Sequence, residues 1–248
     1  LETARGGMLR EGLGFDRCNV AIVTNIGMGD HLGMAYVNTA EELAAVKRII
    51  VQNVASSGYA VLNAADPLVV DMAEHCPGSV IFFARDNLHH PVLATHHAQH
   101  KRVIYLQGQH IVASGENGEH KIALKNIPLT QDGSIYFQIE NAMAAIGAAW
   151  ALGFDWKVIR EGLSSFISDS QTAPGRFNLF NYRNATLIAD YGHNPDAIQA
   201  LVSAIDNIPS KKRSVVISAA GDRRDEDIRL QTRIIGDAFD KVVLYQDQ

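Results

Sequence analysis

Residues 19–26 read Asn19-Val20-Ala21-Ile22-Val23-Thr24-Asn25-Ile26, a short apolar, β-branched run that breaks off in Gly27-Met28-Gly29-Asp30-His31. An uninterrupted run of this kind marks a strand buried on both faces of a parallel sheet. Helical spacing follows it. Thr39 with Glu42 three residues on makes a capping box, and Leu43, Val46, Ile50 and Val54 recur at the helical period, which predicts a helix over 40–56 stopped by Gly58. Tyr59 to Asn63 reads as the next strand. Asp66-Pro67 reads as an N-cap with proline at the first helical position, and Ser79 to Ala84 as a third strand after Pro77-Gly78. Strand, helix, strand, helix, strand is the pattern of an α/β fold with a mostly parallel sheet.

Downstream, residues 85–135 lose that rhythm. Short alternating segments and an Asn117-Gly118 turn predict a small antiparallel β section. Seven of the ten histidines lie here, at 89, 90, 96, 97, 100, 110 and 120. Their spacing matches no zinc pattern and no cysteine accompanies them, so solvated imidazoles are expected. An alanine-rich helix over 137–152 is closed by Gly153, with Ala142, Ala145, Ala148 and Ala149 as its small face, and Asp155 caps another helix to about 165. Thr172-Ala173-Pro174-Gly175-Arg176 interrupts regular structure and is the expected boundary between domains over 1–173 and 174–248. Beyond it, Asn178 to Tyr182 and Ala185 to Asp190 form a hairpin around Arg183-Asn184. Asn194-Pro195 opens a helix to about 206, and a strand at 215–219, a helix over 226–239 and a strand at 242–245 complete a second, Rossmann-like α/β unit. Leu1-Glu2-Thr3 looks like the end of a strand and the last residues like a strand followed by nothing, so both domains are expected to be truncated.

Composition narrows the function. The chain has 248 residues, is 47% hydrophobic and 20% charged, and sets 22 Lys plus Arg against 27 Asp plus Glu for a formal charge of −5. That balance gives no broad basic field for nucleic acid or anionic lipid, and small-molecule substrates become the better expectation. No apolar run approaches the ~20 residues of a membrane span. Cys18 and Cys76 read as two reduced thiols, which fits a cytoplasmic location.

In open α/β sheets ligands bind at the carboxyl ends of strands. Four loops qualify: Glu2 after the first strand, Asp30-His31 after the second, Asp190-Tyr191-Gly192-His193-Asn194, and Gly221-Asp222-Arg223-Arg224-Asp225. Each alone reads equally as a cap or surface turn, but four in two consecutive α/β units favour a cleft that handles phosphate and Mg2+.

Thr24-Asn25-Ile26 with Asp30-His31-Leu32, Asn141-Ala142-Met143-Ala144-Ala145, Pro174-Gly175-Arg176-Phe177, and Asp190-Tyr191-Gly192-His193-Asn194-Pro195-Asp196 resemble the ordered motifs of the Mur ligase family of ATP-dependent amino-acid ligases. More narrowly, Glu2-Thr3-Ala4-Arg5-Gly6-Gly7-Met8-Leu9-Arg10 with Gly12-Leu13-Gly14-Phe15-Asp16, and the run from Ser218 to Asp227, are similar to the cyanophycin synthetases, whose carboxyl-terminal half is a Mur ligase module. The resemblance implies a Mur ligase central domain followed by a Mur ligase C-terminal domain. It implies that Glu2 and His31 help hold Mg2+, that Asn141 contacts the adenine, and that Arg176, Asp190 and His193 reach ATP from the second domain. Lys47 is the candidate for a carbamylated, metal-bridging lysine, with an ordinary surface lysine as the equal alternative.

The implied reaction joins arginine to the β-carboxylate of an aspartate backbone through an acyl phosphate, on a cyanophycin primer, with backbone extension left to an ATP-grasp domain of the same synthetase. A homo-oligomer is expected. Asp222, Asp225, Glu226 and Asp227 offer carboxylates for a guanidinium, or equally an acidic helix start. A glycine-rich phosphate loop of the G-x-x-G-K-[ST] kind, which family members carry upstream of the position of Glu2, is not among these residues, so this chain alone is expected not to turn over. Three alternatives stay open: another Mur-type ligase, a non-catalytic Mur module in a dipeptide-polymerising relative, and a metal hydrolase built on Glu2, His31, Asp190 and His193.

Overall fold

The structure, a computed structural model, describes residues 2–27, 32–33, 35–218 and 224–245. Residues 2–4 carry no strand, contrary to expectation, and lead into a short helix α1 (Arg5–Glu11) ended by Gly12 at φ +74°. One sheet then takes six strands in sequential order: β1 (Cys18–Val23), β2 (Val54–Asn63), β3 (Ser79–Ala84), β4 (Val103–Gln107), β5 (His110–Gly115) and β6 (Gly118–Ala123). The first four run parallel, and β5 and β6 return as an antiparallel meander.

Side chains alternate strictly between two cores, which is why the strands read as continuous apolar runs. Ala60, Leu62, Phe82, Ala84, Val103 and Tyr105 pack with α2 (Ala40–Gln52), α3 (Pro67–Val70) and α4 (Pro91–Ala98) on one face. Val61, Ile81, Phe83, Ile104 and Ile111 meet α5 (Tyr136–Ala151) and α6 (Trp156–Ser165) on the other. The helix-starting signals hold: Thr39 and Glu42 close their capping box, Asp66 caps α3, and Asp155 caps α6.

Four expectations are corrected. The helix after β1 ends at Gln52, with the Asn53 side chain donating to the Ile49 carbonyl, and fully buried Val54 already belongs to β2. Gly58 therefore lies inside a strand. A Cβ there would stand 2.5 Å from the Asn19 carbonyl oxygen, so glycine permits strand approach where a helix stop was expected. Within residues 85–135 the antiparallel section is present as β5 and β6, joined at Asn117-Gly118, but α4 from Pro91 and the parallel pairing of β4 were not expected, because Leu93 and His96 turn inward from a stretch whose histidines disguise its apolar face. His96 is accordingly buried, its Nε2 2.9 Å from the Val80 carbonyl and its ring edge-on to Phe82, where a solvated imidazole was expected. The small face of α5 also differs. Ala145 is exposed, and the close approach to the sheet falls on Gly147, where a Cβ would meet Val61 at 2.7 Å.

The second unit contains the expected hairpin β7 (Asn178–Tyr182) and β8 (Ala185–Ala189), then α7 (Pro195–Ile205) capped by Asn194, β9 (Ser214–Ile217), α8 (Asp225–Ala238) and β10 (Lys241–Leu244) parallel to β9. Ile198, Val202 and Ile235 join the two helices over β9. The two units meet at the start of α5. Ile135, Phe177, Ala204 and Ile205 form a small buried cluster, and Asn207 donates to the Ser134 carbonyl at 2.8 Å. Among the described residues, no helix is long and apolar enough to cross a membrane.

Candidate active site

The carboxyl edge of the parallel strands carries the first group of functional candidates. One carboxylate organises the exit from β1: Oδ1 of Asp66 accepts the amides of Leu68 and Val69, and Oδ2 accepts the amide of Ile26 at 2.7 Å. The N-cap of α3 thereby anchors the segment that leads to His31. Asp30 and His31 themselves lie outside the described residues. Lys47, half-buried on α2, donates from Nζ to the Asn25 carbonyl at 3.4 Å, which places it against the same exit. Glu2 is exposed and takes no hydrogen bond or ion pair among the described residues. No three His, Cys, Asp or Glu side chains among the described residues gather closely enough to hold a metal ion.

The first turns of α5 carry the second group. Asn141 is exposed and its Nδ2 donates to Oε1 of buried Gln138 at 2.9 Å, which fixes the amide and leaves its oxygen and one N–H for a ligand. Beside it Glu140 is held by Arg85 at 3.8 Å, and the same guanidinium lies over the Tyr136 ring at 4.4 Å. Burial pushes the Glu140 carboxyl above its usual range, Arg85 pulls it back, and Asp86 raises it again. Arg85 was not foreseen in the sequence, although it is the first residue after β3 and the strand-end rule reaches it. It also lines a cavity of about 520 Å³ with Asn87, His89, Tyr105 and Gln107. The Tyr105 hydroxyl donates to Glu119 at 3.1 Å, and burial together with that carboxylate pushes the phenol up to about 12.

The second unit contributes a compact set. Asp190, at the end of β8, accepts the amide of Phe177 on Oδ2 at 2.9 Å and that of Gly192 on Oδ1 at 2.7 Å. It so ties the two ends of the hairpin together while each oxygen keeps a lone pair. The Arg176 guanidinium lies 5.8 Å from the Tyr191 ring centroid, and that ring meets His193 edge-on at 5.2 Å. Nδ1 of His193 is 2.9 Å from the Tyr191 carbonyl, and the Tyr191 amide donates to Gly175 at 2.8 Å.

These two groups converge. Phe137 and Asn141 are one turn apart on α5, and Phe137 stacks edge-on, centroids 5.6 Å apart, against Phe177, the residue after Arg176. Arg176, Asp190 and His193 thus share one loop cluster, which Phe177 ties to α5 one turn before Asn141. Lys47 belongs to the β1 exit instead. A second contact joins that exit to α8: a Cβ on Gly33 would stand 3.0 Å from Cγ of Arg224. Two of the three described carboxylates at the start of α8, Glu226 and Asp227, are already engaged, and Asp225 is exposed. Nε and Nη2 of Arg224 donate to both oxygens of Asp227 at 2.8 and 3.0 Å, and Nη1 pairs with Glu226. The guanidinium that these carboxylates hold is the chain's own, and Asp222 lies outside the described residues.

Comparison with known proteins agrees with this architecture. The model of the Mur ligase middle domain matches residues 1–149, and that of the Mur ligase glutamate ligase domain matches residues 175–248. Cyanophycin synthetases from Geminocystis herdmanii and Crocosphaera subtropica are 38% and 39% identical over 100% of this chain, which spans 28% of the length of each. Among solved structures, MurF from Acinetobacter baumannii matches 92% of this chain and 47% of its own with TM-score 0.66 and 20% identity. The E. coli FolC structure in complex with ADP matches 93% of this chain and 48% of its own with TM-score 0.64 and 20% identity. At that identity the two structures show a shared fold.

Proposed function

Because the chain belongs to the Mur ligase family, we propose that it is the ligase module of an ATP-dependent enzyme that adds arginine to the β-carboxylate of an aspartate backbone in cyanophycin synthesis. The match over the chain's whole length to cyanophycin synthetases carries this reading. The likeness to a fold that holds ADP supports ATP as the co-substrate.

The residues at the junction suit a nucleotide. Asn141 offers a positioned acceptor and donor for adenine, Asp190 keeps lone pairs for ribose hydroxyls, and exposed Arg176 has a free fork for ribose or phosphate oxygens. ATP supplies the phosphoryl group that converts the acceptor carboxylate into an acyl phosphate, and the arginine α-amine displaces phosphate to form the isopeptide bond. Glu2, with its unengaged carboxylate, and His31 would hold Mg2+, a hard ion that shares its oxygen shell with phosphates. Lys47 is proposed to stand beside that ion. The domain division at 173/174 lets the second unit close over the nucleotide, and the remaining synthetase, with its ATP-grasp domain, is the proposed partner.

The test uses the full-length protein and measures arginine-dependent ADP release on a cyanophycin primer. Asn141→Ala and Asp190→Asn should each raise KM for ATP by about 5- to 10-fold, the cost of one or two lost hydrogen bonds. Unchanged KM in both would overturn the assigned roles. ADP release that responds to another amino acid would favour a different Mur-type ligase, and none with any amino acid a non-catalytic module.

A further inference from the structure

We propose that the groove between the outer edge of β6 and helix α6 binds an acceptor chain through its carboxylates, a role separate from the nucleotide junction that rests on the polymer-extending reading above. The groove encloses about 490 Å³, and its charged lining is Lys121, Lys125, Lys157 and Arg160 against the single carboxylate of Glu161. Such a surplus of positive charge is unexpected in a chain of formal charge −5.

Its construction follows from the sequence. Lys157, Arg160, Glu161 and Ser164 recur at helical spacing and so share one face of α6, while buried Ile159 holds the helix to the sheet. β6 is the last strand of its sheet, and among the described residues its outer main-chain edge has no partner strand. Two of the four cations already have partners: Lys121 with Gln107 at 3.0 Å and Glu119 at 3.8 Å, and Lys157 with the groove's own Glu161 at 4.0 Å. Lys125 and Arg160 are exposed and make no hydrogen bond or ion pair among the described residues. The charge of Arg160 is felt nearby. The His120 imidazole, stacked on Trp156 at 4.0 Å, is held below its usual range by burial first and by Arg160 next.

Location gives the groove its use. The pairings Gln107 with His110 and His110 with Ala123 bring the end of β6 to the same sheet edge as the carboxyl ends of the parallel strands. An extended chain laid along β6 could add main-chain hydrogen bonds at the strand edge and set its carboxylates against Lys125 and Arg160, with its growing end directed along the edge that bears the active site. A polynucleotide suits the groove less well, because its described lining holds no aromatic ring for base stacking.

The test compares the full-length protein with K125E/R160E and the milder K125Q/R160Q, using fluorescent poly-L-aspartate at low salt and the cyanophycin primer in turnover. Reversing both charges should weaken poly-aspartate binding and raise the primer KM by about tenfold, with KM for ATP unchanged and a smaller effect in the double glutamine variant. Equal poly-aspartate binding by wild type and both variants would overturn the proposal, as would tighter binding of an RNA oligonucleotide. Absence of arginine-dependent ADP release in wild type would instead sink the ligase reading, and the poly-aspartate comparison would still decide the groove.

Discussion

Phe177 is the position where fold and site can be perturbed together. Its backbone is left-handed at φ +52°, a conformation that costs a side chain about 1–2 kcal/mol. The ring is 4% exposed and edge-on to Phe137, and the amide is held by Asp190, so burial and one charge-assisted hydrogen bond offset the strain. Truncating a buried Phe costs about 3–5 kcal/mol. The cluster around it has only Ile135, Ala204 and Ile205 as further buried members, so Phe177→Ala should fall at the lower end, about 3 kcal/mol. Phe177→Gly should be no worse than Phe177→Ala, because relief of the left-handed strain cancels the ~0.5–1 kcal/mol by which glycine ordinarily loses to alanine. The ring-to-ring contact is isolated by a double-mutant cycle of Phe137→Leu and Phe177→Leu in urea unfolding, with an expected coupling of about 0.5–1.5 kcal/mol. Additivity within about 0.3 kcal/mol would refute the junction, and glycine clearly below alanine would refute the strain.

Three further outcomes follow from the same geometry. Gly78→Ala places a Cβ 2.3 Å from the Gly58 carbonyl oxygen and 2.7 Å from that of Ala55, so backbone must move and urea unfolding should show a loss of about 3 kcal/mol or more. His96 has its pKa lowered from 6.5 by burial, so the unfolded chain binds the extra proton first. Stability should be full above about pH 6.5 and fall as pH drops toward the folded pKa, and His96→Gln should flatten that limb of a thermal-melt series. Glu140 is raised from 4.5, so the folded state binds more protons and stability falls as pH rises from 4.5 through its folded pKa. Arg85→Ala removes the lowering partner and should widen that window in urea titrations, and an unchanged profile would deny the Arg85 contact.

Much of the fold is legible locally. β-branched runs, the Thr39 to Glu42 box and the Asp66, Asp155 and Asn194 caps name their elements because each signal acts within four residues. The misread places are those where a distant partner decides. Gly58 looks like a helix stop until the Asn19 carbonyl is brought against it, and α4 is hidden because His96 is inward only by virtue of the Val80 carbonyl. The site divides the same way. Arg176, Asp190 and His193, read from nearby motifs, share one loop cluster, whereas Arg85 and the second use of Asp66, holding the Ile26 amide, depend on pairings 55 and 40 residues away along the chain.

Two of the contacts that join the units among the described residues differ in kind, and the difference bears on how the site can open. At the junction, Phe137 and Phe177 bury their rings with Ile135, Ala204 and Ile205, and Asn207 adds a direct hydrogen bond to Ser134. Across the cleft, the other contact is the aliphatic stem of Arg224 resting on Gly33, with its guanidinium already satisfied by Asp227 and Glu226 within its own unit. Parting the first exposes apolar surface and breaks a hydrogen bond; parting the second exposes little and leaves every charge paired. A separation of the units therefore costs least at Gly33 and most at Phe177. Such a motion would pivot on the Phe137 to Phe177 contact and open at Gly33, which is the order a nucleotide-binding cleft requires if one side is to be held before the reacting groups are enclosed.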